Sequence, residues 1–137
     1  MTPRQISLVQ ETFQRIQPVL EQAATLFYDR LFTLEPDLKP LFKGDIDQQG
    51  RKLMLVIATA VHNLHRLEDI AAALQALGHR HAGYGVKEGH FGLVAVALLW
   101  ALERGLGEGF TDEVEEAWTV AYMELATIMR GALREAA

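Results

Sequence analysis

The stretch LGHRHAGYGV, residues 77–86, places two of the chain's five histidines one residue apart and ends among glycines. Neighbours three, four and seven residues apart share one face of a helix. Counting back from His81 reaches Leu77 and Leu74, whereas the same steps from His79 reach alanine and glutamine. His81 is therefore predicted on the apolar face of a helix, and His79 in solvent.

The histidines leave several interpretations open. His79 and His81 are about 200° apart around a helix, so they cannot both coordinate one metal ion. Taken alone, His81 fits a core histidine bonded to a backbone carbonyl. His62 and His65 could share a metal, but no third ligand stands near them, and His90 fits a helix cap or surface residue. Gly78 would let a flat group approach the helix one turn before His81.

Length and composition narrow the function classes. The chain has 137 residues, half of them apolar, which predicts one domain over residues 1–137. It has no cysteine and a net charge of −5, which excludes thiolate metal sites and disfavours nucleic acid as a partner. The start MTPRQISLVQ lacks signal-peptide features, and the longest apolar run, residues 93–102, is half the ~20 residues of a membrane span. We expect a cytoplasmic protein without a membrane span.

Apolar residues recur at helical spacing along the chain, and we find no alternating stretch of strand length, so the sequence predicts an all-α fold. Thr2, Pro3 and Gln5 form a capped start, and Pro18 interrupts the first helix. Further helices are predicted from Leu20 to Leu34 and over about 49–64, 69–82, 89–104 and 112–134. A corner is predicted at 35–47, and the segment GLGEGF separates the last two helices. The glycines at 83 and 85 are predicted to end the helix over 69–82. The buried stripe of the third runs through Leu53, Val56, Ala60 and Leu64, and that of the last through Val114, Trp118, Ala121, Leu125 and Ile128.

Four segments resemble the globin family in their order and spacing, most closely the bacterial single-domain haemoglobins and the haem domain of flavohaemoglobins. They are LFYDRLFTLEPDLKPLF (26–42), DQQGRKLM (47–54), LGHRHAGYGV (77–86) and EEAWTVAY (115–122). The resemblance covers nearly the whole chain. It implies a three-over-three sandwich of helices around haem b, with helix pairs crossing at about 50°. The conventional fourth helix is expected to be missing or irregular between Leu41 and Gln49.

The resemblance implies a role for each haem-facing residue. His81 would ligate the iron through Nε2, with Nδ1–H bonded to a carbonyl one turn back, that of Leu77. Phe42 matches the corner phenylalanine that packs on the porphyrin, although an ordinary core aromatic would also be buried there. The resemblance also implies further haem contacts at Leu53, Val56, Leu77, Val86 and Phe91. Lys52 and Arg80 are interpreted either as partners of the haem propionates or as solvated surface charges.

Tyr28 and Gln49 fall at the two distal polar positions. Without the resemblance, Tyr28 would be a half-buried helix tyrosine and Gln49 an exposed first-turn residue. With it, their O–H and N–H groups would stabilise the negative charge on bound O₂ by roughly 1–3 kcal/mol each. Leu53 shares the face of Gln49 and would form the apolar gate of the ligand site.

The sequence departs from the family pattern on the proximal side. Flavohaemoglobin-like globins usually support the proximal histidine with a tyrosine and a glutamate, and this chain has Phe91 and Leu133 there. Glu135 falls on a different helical face. The departure indicates a histidine of ordinary donor strength and argues against peroxidase-like activation of oxygen.

These residues predict a haem protein that binds O₂ reversibly and with high affinity, in oxygen binding or transport, with NO and CO as further ligands and NO detoxification as a related role. The alternatives are a nitric oxide dioxygenase working with a separate reductase, and a haem-based gas sensor. A scaffold without haem is disfavoured by the retained Tyr28, Phe42, Gln49 and His81. A side chain closing the sixth site of the iron is disfavoured because Gln49 stands where hexacoordinate globins usually have histidine, although Tyr28 or Lys52 could bind ferric iron at some pH. The sequence leaves the enzyme assignment and the oligomeric state open, although apolar residues on the fifth and last helices could support a dimer.

Overall fold

The computed structural model describes residues 1–42, 44–83, 87 and 89–136, with side chains given outside 82, 83 and 133–136. Within these ranges every regular element is helical, which confirms the all-α prediction. The α-helices are α1 (Pro3–Ile16), α2 (Leu20–Leu34), α3 (Ile46–His62), α4 (Ala71–Gly83), α5 (His90–Leu106) and α6 (Asp112–Ala136). Short 3₁₀ turns lie at Gln17–Val19, Pro36–Leu41, Leu64–Asp69 and Gly107–Gly109.

The start of α1 and the break after it form as predicted. The Thr2 hydroxyl accepts from the Gln5 backbone N–H at 3.1 Å, and the Thr2 N–H donates to the Gln5 side chain at 2.9 Å. This reciprocal pair satisfies two of the N–H groups that a helix start leaves without partners. Pro18 lies in the 3₁₀ turn that separates α1 from α2.

The bounds of the middle helices differ from the prediction. α3 begins at Ile46 instead of about 49, because the Asp45 carboxylate caps it by accepting from the Asp47 N–H at 3.0 Å. Gln49 therefore lies within the first turn of α3. The described residues 42, 44 and 45 lie outside any helix, so the irregular link after Leu41 is confirmed there but is shorter than expected. α3 ends at His62, and a 3₁₀ turn delays α4 until Ala71.

The described part of α4 runs to Gly83. Residues 84–86 lie outside the described residues, so the closure of this helix by Gly83 and Gly85 stays a prediction.

The helices pack in pairs around a shared core, with α4 against α6, α2 against α5 and α3, and α1 against α6. A buried polar link joins α1 to α6 within this core. The Thr12 hydroxyl donates to the Leu8 carbonyl at 2.6 Å and accepts from the Trp118 indole N–H at 2.9 Å. The Thr12 hydroxyl and the Trp118 indole N–H thus each have a partner, which avoids the cost of desolvating them alone.

The most apolar helix belongs to this core. By length and composition alone, the segment His90–Gly109 could cross a membrane. In the fold, however, α5 packs against α2 and α6 and buries Ala97, Leu98, Ala101 and Leu102. We therefore interpret α5 as the core helix of the fold.

Two predicted stripes need correction. In α3, Val56 is 37% exposed, and Ile57 packs against the core in its place. The reason is the helical turn of about 100° per residue, which brings the fourth residue after Leu53 closer to its face than the third. In α6, Leu125 and Ile128 are half-buried, whereas Ala126 and Ala132 are buried.

Candidate functional site

His81 lies on α4 and its ring is held by the preceding turn. Nδ1 lies 2.7 Å from the carbonyl oxygen of Leu77, which is the bond predicted from the sequence. Because a carbonyl only accepts, Nδ1 carries the proton and Nε2 keeps the lone pair in the neutral ring. Burial lowers the pKa of His81, and the Leu77 bond opposes that shift. The ring is thus neutral at physiological pH, and its role as an iron ligand through Nε2 stays a prediction.

Gly78 has a different role from the one that the sequence suggested. A methyl group there would lie 2.7 Å from the Met129 carbonyl oxygen and 2.8 Å from the Ala132 side chain. The missing side chain therefore makes room for α6, and the interpretation of Gly78 as space for a flat group is wrong. The close approach of α4 to α6 fixes the helix that carries His81 one turn later.

Tyr28 lies on α2 and is 6% exposed, so it is more buried than an ordinary half-buried tyrosine. Its hydroxyl donates to the backbone carbonyl of Gln49 at 3.5 Å, which is long for an O–H bond and therefore weak. Burial raises the pKa of Tyr28 to about 12. The phenol thus remains an O–H donor at physiological pH, and its weak present bond leaves it able to turn to a ligand.

Gly50 brings the two distal residues together. A methyl group at Gly50 would lie 3.1 Å from the side chain of Ala24 and 3.9 Å from the Tyr28 ring. The glycine lets α3 pack closely on α2 directly after Gln49. This is why the Tyr28 hydroxyl can reach the first turn of α3.

An aromatic cluster surrounds the Tyr28 ring. Phe42 meets Tyr28 edge-on with ring centres 5.3 Å apart, Phe32 stacks on it at 5.9 Å, and Phe32 and Phe42 are 5.4 Å apart. Phe42 is half-buried. The predicted corner phenylalanine is therefore joined to the distal tyrosine, and its contact with haem stays a prediction.

The other predicted haem contacts differ in exposure. Leu53 and Leu77 are half-buried, and Leu53 packs against the core. Val56, Lys52 and Arg80 are exposed, and Val86 lies outside the described residues. The haem roles of all six stay predictions that rest on the resemblance.

Phe91 is buried against α6, where it packs with Ala126. Its backbone carbonyl accepts from the Tyr122 hydroxyl at 2.7 Å, and the Arg130 guanidinium carbon lies 5.5 Å from its ring centre. Sequence reasoning missed Tyr122 and Arg130, although Tyr122 follows Trp118 at a helical step and so belonged to the buried side of the last helix. The side chains at 133 and 135 lie outside the described set.

The remaining histidines have local roles. His90 is the first residue of α5, and its ring accepts from the Lys87 backbone N–H at 3.0 Å. Because Lys87 precedes the helix and no side chain among the described residues caps α5, the interpretation of His90 as a helix cap is wrong. His62, His65 and His79 are exposed. In the part of the chain that the structure describes, no group of three His, Cys, Asp or Glu residues could hold a metal ion, so a metal site made only of side chains finds no support there.

Comparison with known proteins assigns the family. The Globin family model matches residues 25–129. The chain belongs to the globin family. The flavohemoprotein of Vibrio cholerae is 30% identical to this globin over 135 residues, covering 93% of this chain and 33% of that protein. The flavohemoprotein of Bordetella pertussis is 29% identical, covering 96% and 33%. The chain spans about a third of the length of these curated relatives.

Solved structures agree with the fold. A bacterial globin from Campylobacter jejuni matches with a TM-score of 0.86 and 26% identity, covering 98% of this chain and 97% of that one. An engineered carbene transferase from Rhodothermus marinus, also named as a proposed nitric oxide dioxygenase, matches with a TM-score of 0.90 and 23% identity, covering 98% and 94%. A hexacoordinated heme protein from an anhydrobiotic tardigrade matches with a TM-score of 0.87 and 20% identity, covering 98% and 96%.

The globin fold implies haem binding, and the donor set of this globin fits the group. An uncharged imidazole with its second nitrogen bonded to a carbonyl is one of the arrangements that metal-ligating histidines adopt. Tyr28 and Phe42 add a protonated phenol and an aromatic face on the side of α2 and the corner. These side chains are therefore compatible with haem, while the roles of His81 as iron ligand and of Tyr28 as donor to a ligand stay predictions.

Proposed function

We propose that this globin binds haem b through His81 and binds O₂ reversibly and with high affinity at a site formed by Tyr28 and Gln49. The observation that carries the proposal is the Tyr28 phenol, which is buried, protonated and within 3.5 Å of the Gln49 backbone. The haem supplies the iron that coordinates O₂. Residues of the chain hold the iron and stabilise the O₂.

His81 holds the iron in this proposal. The Leu77 carbonyl orients the imidazole and keeps the proton on Nδ1, so that Nε2 is the nitrogen that would ligate iron. A neutral carbonyl is a weaker acceptor for the Nδ1 proton than a carboxylate, so the imidazole is a moderate electron donor to iron. A moderate donor is suited to reversible binding of O₂ instead of cleavage of its O–O bond.

Tyr28 and Gln49 stabilise the ligand. Bound O₂ accumulates negative charge, and each donor aimed at it contributes roughly 1–3 kcal/mol, or about 5- to 150-fold in affinity. Tyr28 can leave its long bond to the Gln49 carbonyl at little cost, because a 3.5 Å contact is weak. Leu53, half-buried on the same helix face, narrows the entry to this site.

A second candidate is nitric oxide dioxygenase with a separate reductase, favoured by the similarity to flavohemoproteins and to the Rhodothermus marinus protein. NO and O₂ combine to nitrate, and each turnover consumes one electron, which the partner reductase must supply. The same distal donors serve both functions. The two differ in whether a reductase sustains turnover.

The visible absorption spectrum of the purified protein with haem supplied tests the first proposal, taken ferric, ferrous, with CO and with O₂. We expect a stable oxygenated form and a CO spectrum typical of histidine ligation. The His81→Gly variant should lose that CO spectrum and regain it in part with added imidazole. A protein that retains no haem, or a ferrous form closed to CO, would contradict the proposal.

The distal residues are tested by the O₂ dissociation rate. Tyr28→Phe and Gln49→Leu should each speed O₂ release by roughly 5- to 150-fold while haem stays bound. Gln48→Leu, an exposed neighbour on the same turn, is the matched control and should leave the rate unchanged. Unchanged release in both distal variants would remove these residues from the ligand site.

Steady consumption of NO decides between the two functions. With O₂, NADH and a flavin reductase added, the dioxygenase predicts many nitrate molecules per haem. The O₂-binding function predicts a single turnover followed by accumulation of ferric protein.

A further inference from the structure

A pocket of about 220 Å³ lies between α5 and α6, and nothing in the proposed function uses it. Phe91, Ala95 and Leu99 line it from α5, and Tyr122 and Met123 line it from α6. Met123 is 55% exposed, which places this pocket at the surface. An engineered apolar cavity of about 150 Å³ in another protein binds benzene. The larger α5–α6 pocket therefore has room for a phenyl ring with a small substituent.

Arg130 gives the pocket a positive charge. It borders the pocket, and its guanidinium carbon lies 5.5 Å from the centre of the Phe91 ring. Its Nε is buried and has no hydrogen-bond partner among the described residues, and no ion pair there involves it. A buried donor without an acceptor is costly, and more so on a charged group. Arg130 therefore brings a positive charge that has no ion-pair partner among the described residues to the edge of this pocket.

The neighbouring phenol does not supply a negative charge to this guanidinium. The Tyr122 hydroxyl donates to the Phe91 carbonyl at 2.7 Å. Burial raises the pKa of Tyr122, and the charge of Arg130 lowers it by a smaller amount. Tyr122 thus stays protonated and supplies no negative charge to Arg130.

Arg30 provides an internal comparison. Its Nε is also buried without a partner in the described structure, and its guanidinium lies 5.3 Å from the Trp100 ring centre. Arg30 does not line the α5–α6 pocket. The position beside an apolar pocket therefore distinguishes Arg130 from Arg30.

We propose that the α5–α6 pocket binds a small carboxylate with an apolar body, of the size of benzoate or a short-chain fatty acid. The carboxylate accepts from Arg130, whose planar guanidinium suits a two-oxygen acceptor. The apolar body packs against Ala95, Leu99 and Met123. This site is separate from His81 and Tyr28 and does not rest on the O₂-binding proposal.

Benzoate titrated into the haem-loaded protein tests this site, with CO bound so that benzoate cannot reach the iron. Calorimetry gives the affinity, and the ¹³C-methyl NMR signal of Met123 reports the location, with Met54 in the core as the internal reference. We expect saturable binding that shifts the Met123 signal and leaves Met54 in place. Benzyl alcohol, which has the ring without the charge, should bind at least tenfold more weakly.

Two variants separate the charge from the cavity. Arg130→Gln should weaken benzoate binding at least tenfold, while Arg104→Gln, a control that removes an exposed arginine outside the pocket, should not. Ala95→Leu fills the cavity from α5 and should abolish binding even if Arg130→Gln folds poorly. Circular dichroism checks the fold of each variant.

Three results would overturn the proposal. One is the absence of any Met123 shift up to the solubility limit of benzoate. Another is equal affinity for benzyl alcohol together with an unchanged Arg130→Gln variant, which would indicate an apolar cavity only. The third is binding to the ferric protein that disappears with CO, which would place benzoate on the iron.

Discussion

Replacing Gly78 by alanine tests whether the close packing of α4 on α6 positions the helix that carries His81. The new methyl group would lie 2.7 Å from the Met129 carbonyl oxygen and 2.8 Å from the Ala132 side chain, where ordinary contacts begin at 3.4 Å. The Met129 oxygen is part of the backbone and the Ala132 methyl is attached directly to it, so neither can rotate away. α4 must therefore move from α6 by about 0.7 Å at this point.

The size of the effect follows from two opposing terms. Overpacking costs about 1–3 kcal/mol, and an immovable backbone places this site in the upper half of that range. Alanine is more favourable than glycine in a helix by about 1 kcal/mol, which offsets part of this cost. The net expectation is a loss of about 1–2 kcal/mol in the free energy of unfolding. Gly131→Ala is the matched control, because a methyl group at Gly131 on α6 meets nothing within 4 Å and should stabilise by up to about 1 kcal/mol.

Urea unfolding followed by circular dichroism measures both variants. The two glycine substitutions should differ by about 2–3 kcal/mol, which separates their midpoints by about 1 M or more at a slope of about 2 kcal/mol/M. The wild-type midpoint should lie between them. If Gly78→Ala stabilised the protein as much as Gly131→Ala, the argument that α6 occupies the space at Gly78 would be refuted.

Three further substitutions or conditions test other contacts. Thr12→Val removes the acceptor of the Trp118 indole and should cost about 1–3 kcal/mol of unfolding free energy, whereas the exposed control Thr25→Val should stay within about 0.5 kcal/mol. Gly50→Ala adds a methyl group 3.1 Å from α2 and should change the O₂ release rate by moving α3; an unchanged rate would disconnect this glycine from the ligand site. Because the pKa of Tyr28 is about 12, its donor role should persist as pH rises through 10 and fail only near 12. A rise in the O₂ release rate with a midpoint at the ordinary tyrosine pKa of about 10 would contradict that assignment.

The order of the helices was predictable because it depends on periodicity and local capping, which neighbouring residues determine. The capping box at Thr2 and the break at Pro18 form as the sequence predicted. The bounds of α3 were less accurate, because Asp45 caps the helix before the apolar stripe begins. A cap outside the periodic region is easily overlooked when the stripe is used to place the helix start.

The site was predictable only where one helix contains both partners. The bond between His81 and the Leu77 carbonyl follows from a spacing of four on α4. The approach of Gly78 to Met129, and the meeting of Tyr122 and Arg130 at Phe91, depend on how α4 and α5 pack against α6. Such contacts between helices distant in sequence carry no signal in the local pattern.

Burial determines the protonation state of both Tyr28 and His81 in the proposed haem site. Burial disfavours the charged form of any side chain, so it raises the pKa of the Tyr28 phenol and lowers that of the His81 imidazole. The phenol is thereby kept as a donor for a ligand, and the imidazole as a neutral ligand for iron. Neither state requires a charged neighbour. A His81 ring that donates to a neutral carbonyl is then a moderate donor to iron, which favours reversible O₂ binding over activation of the O–O bond.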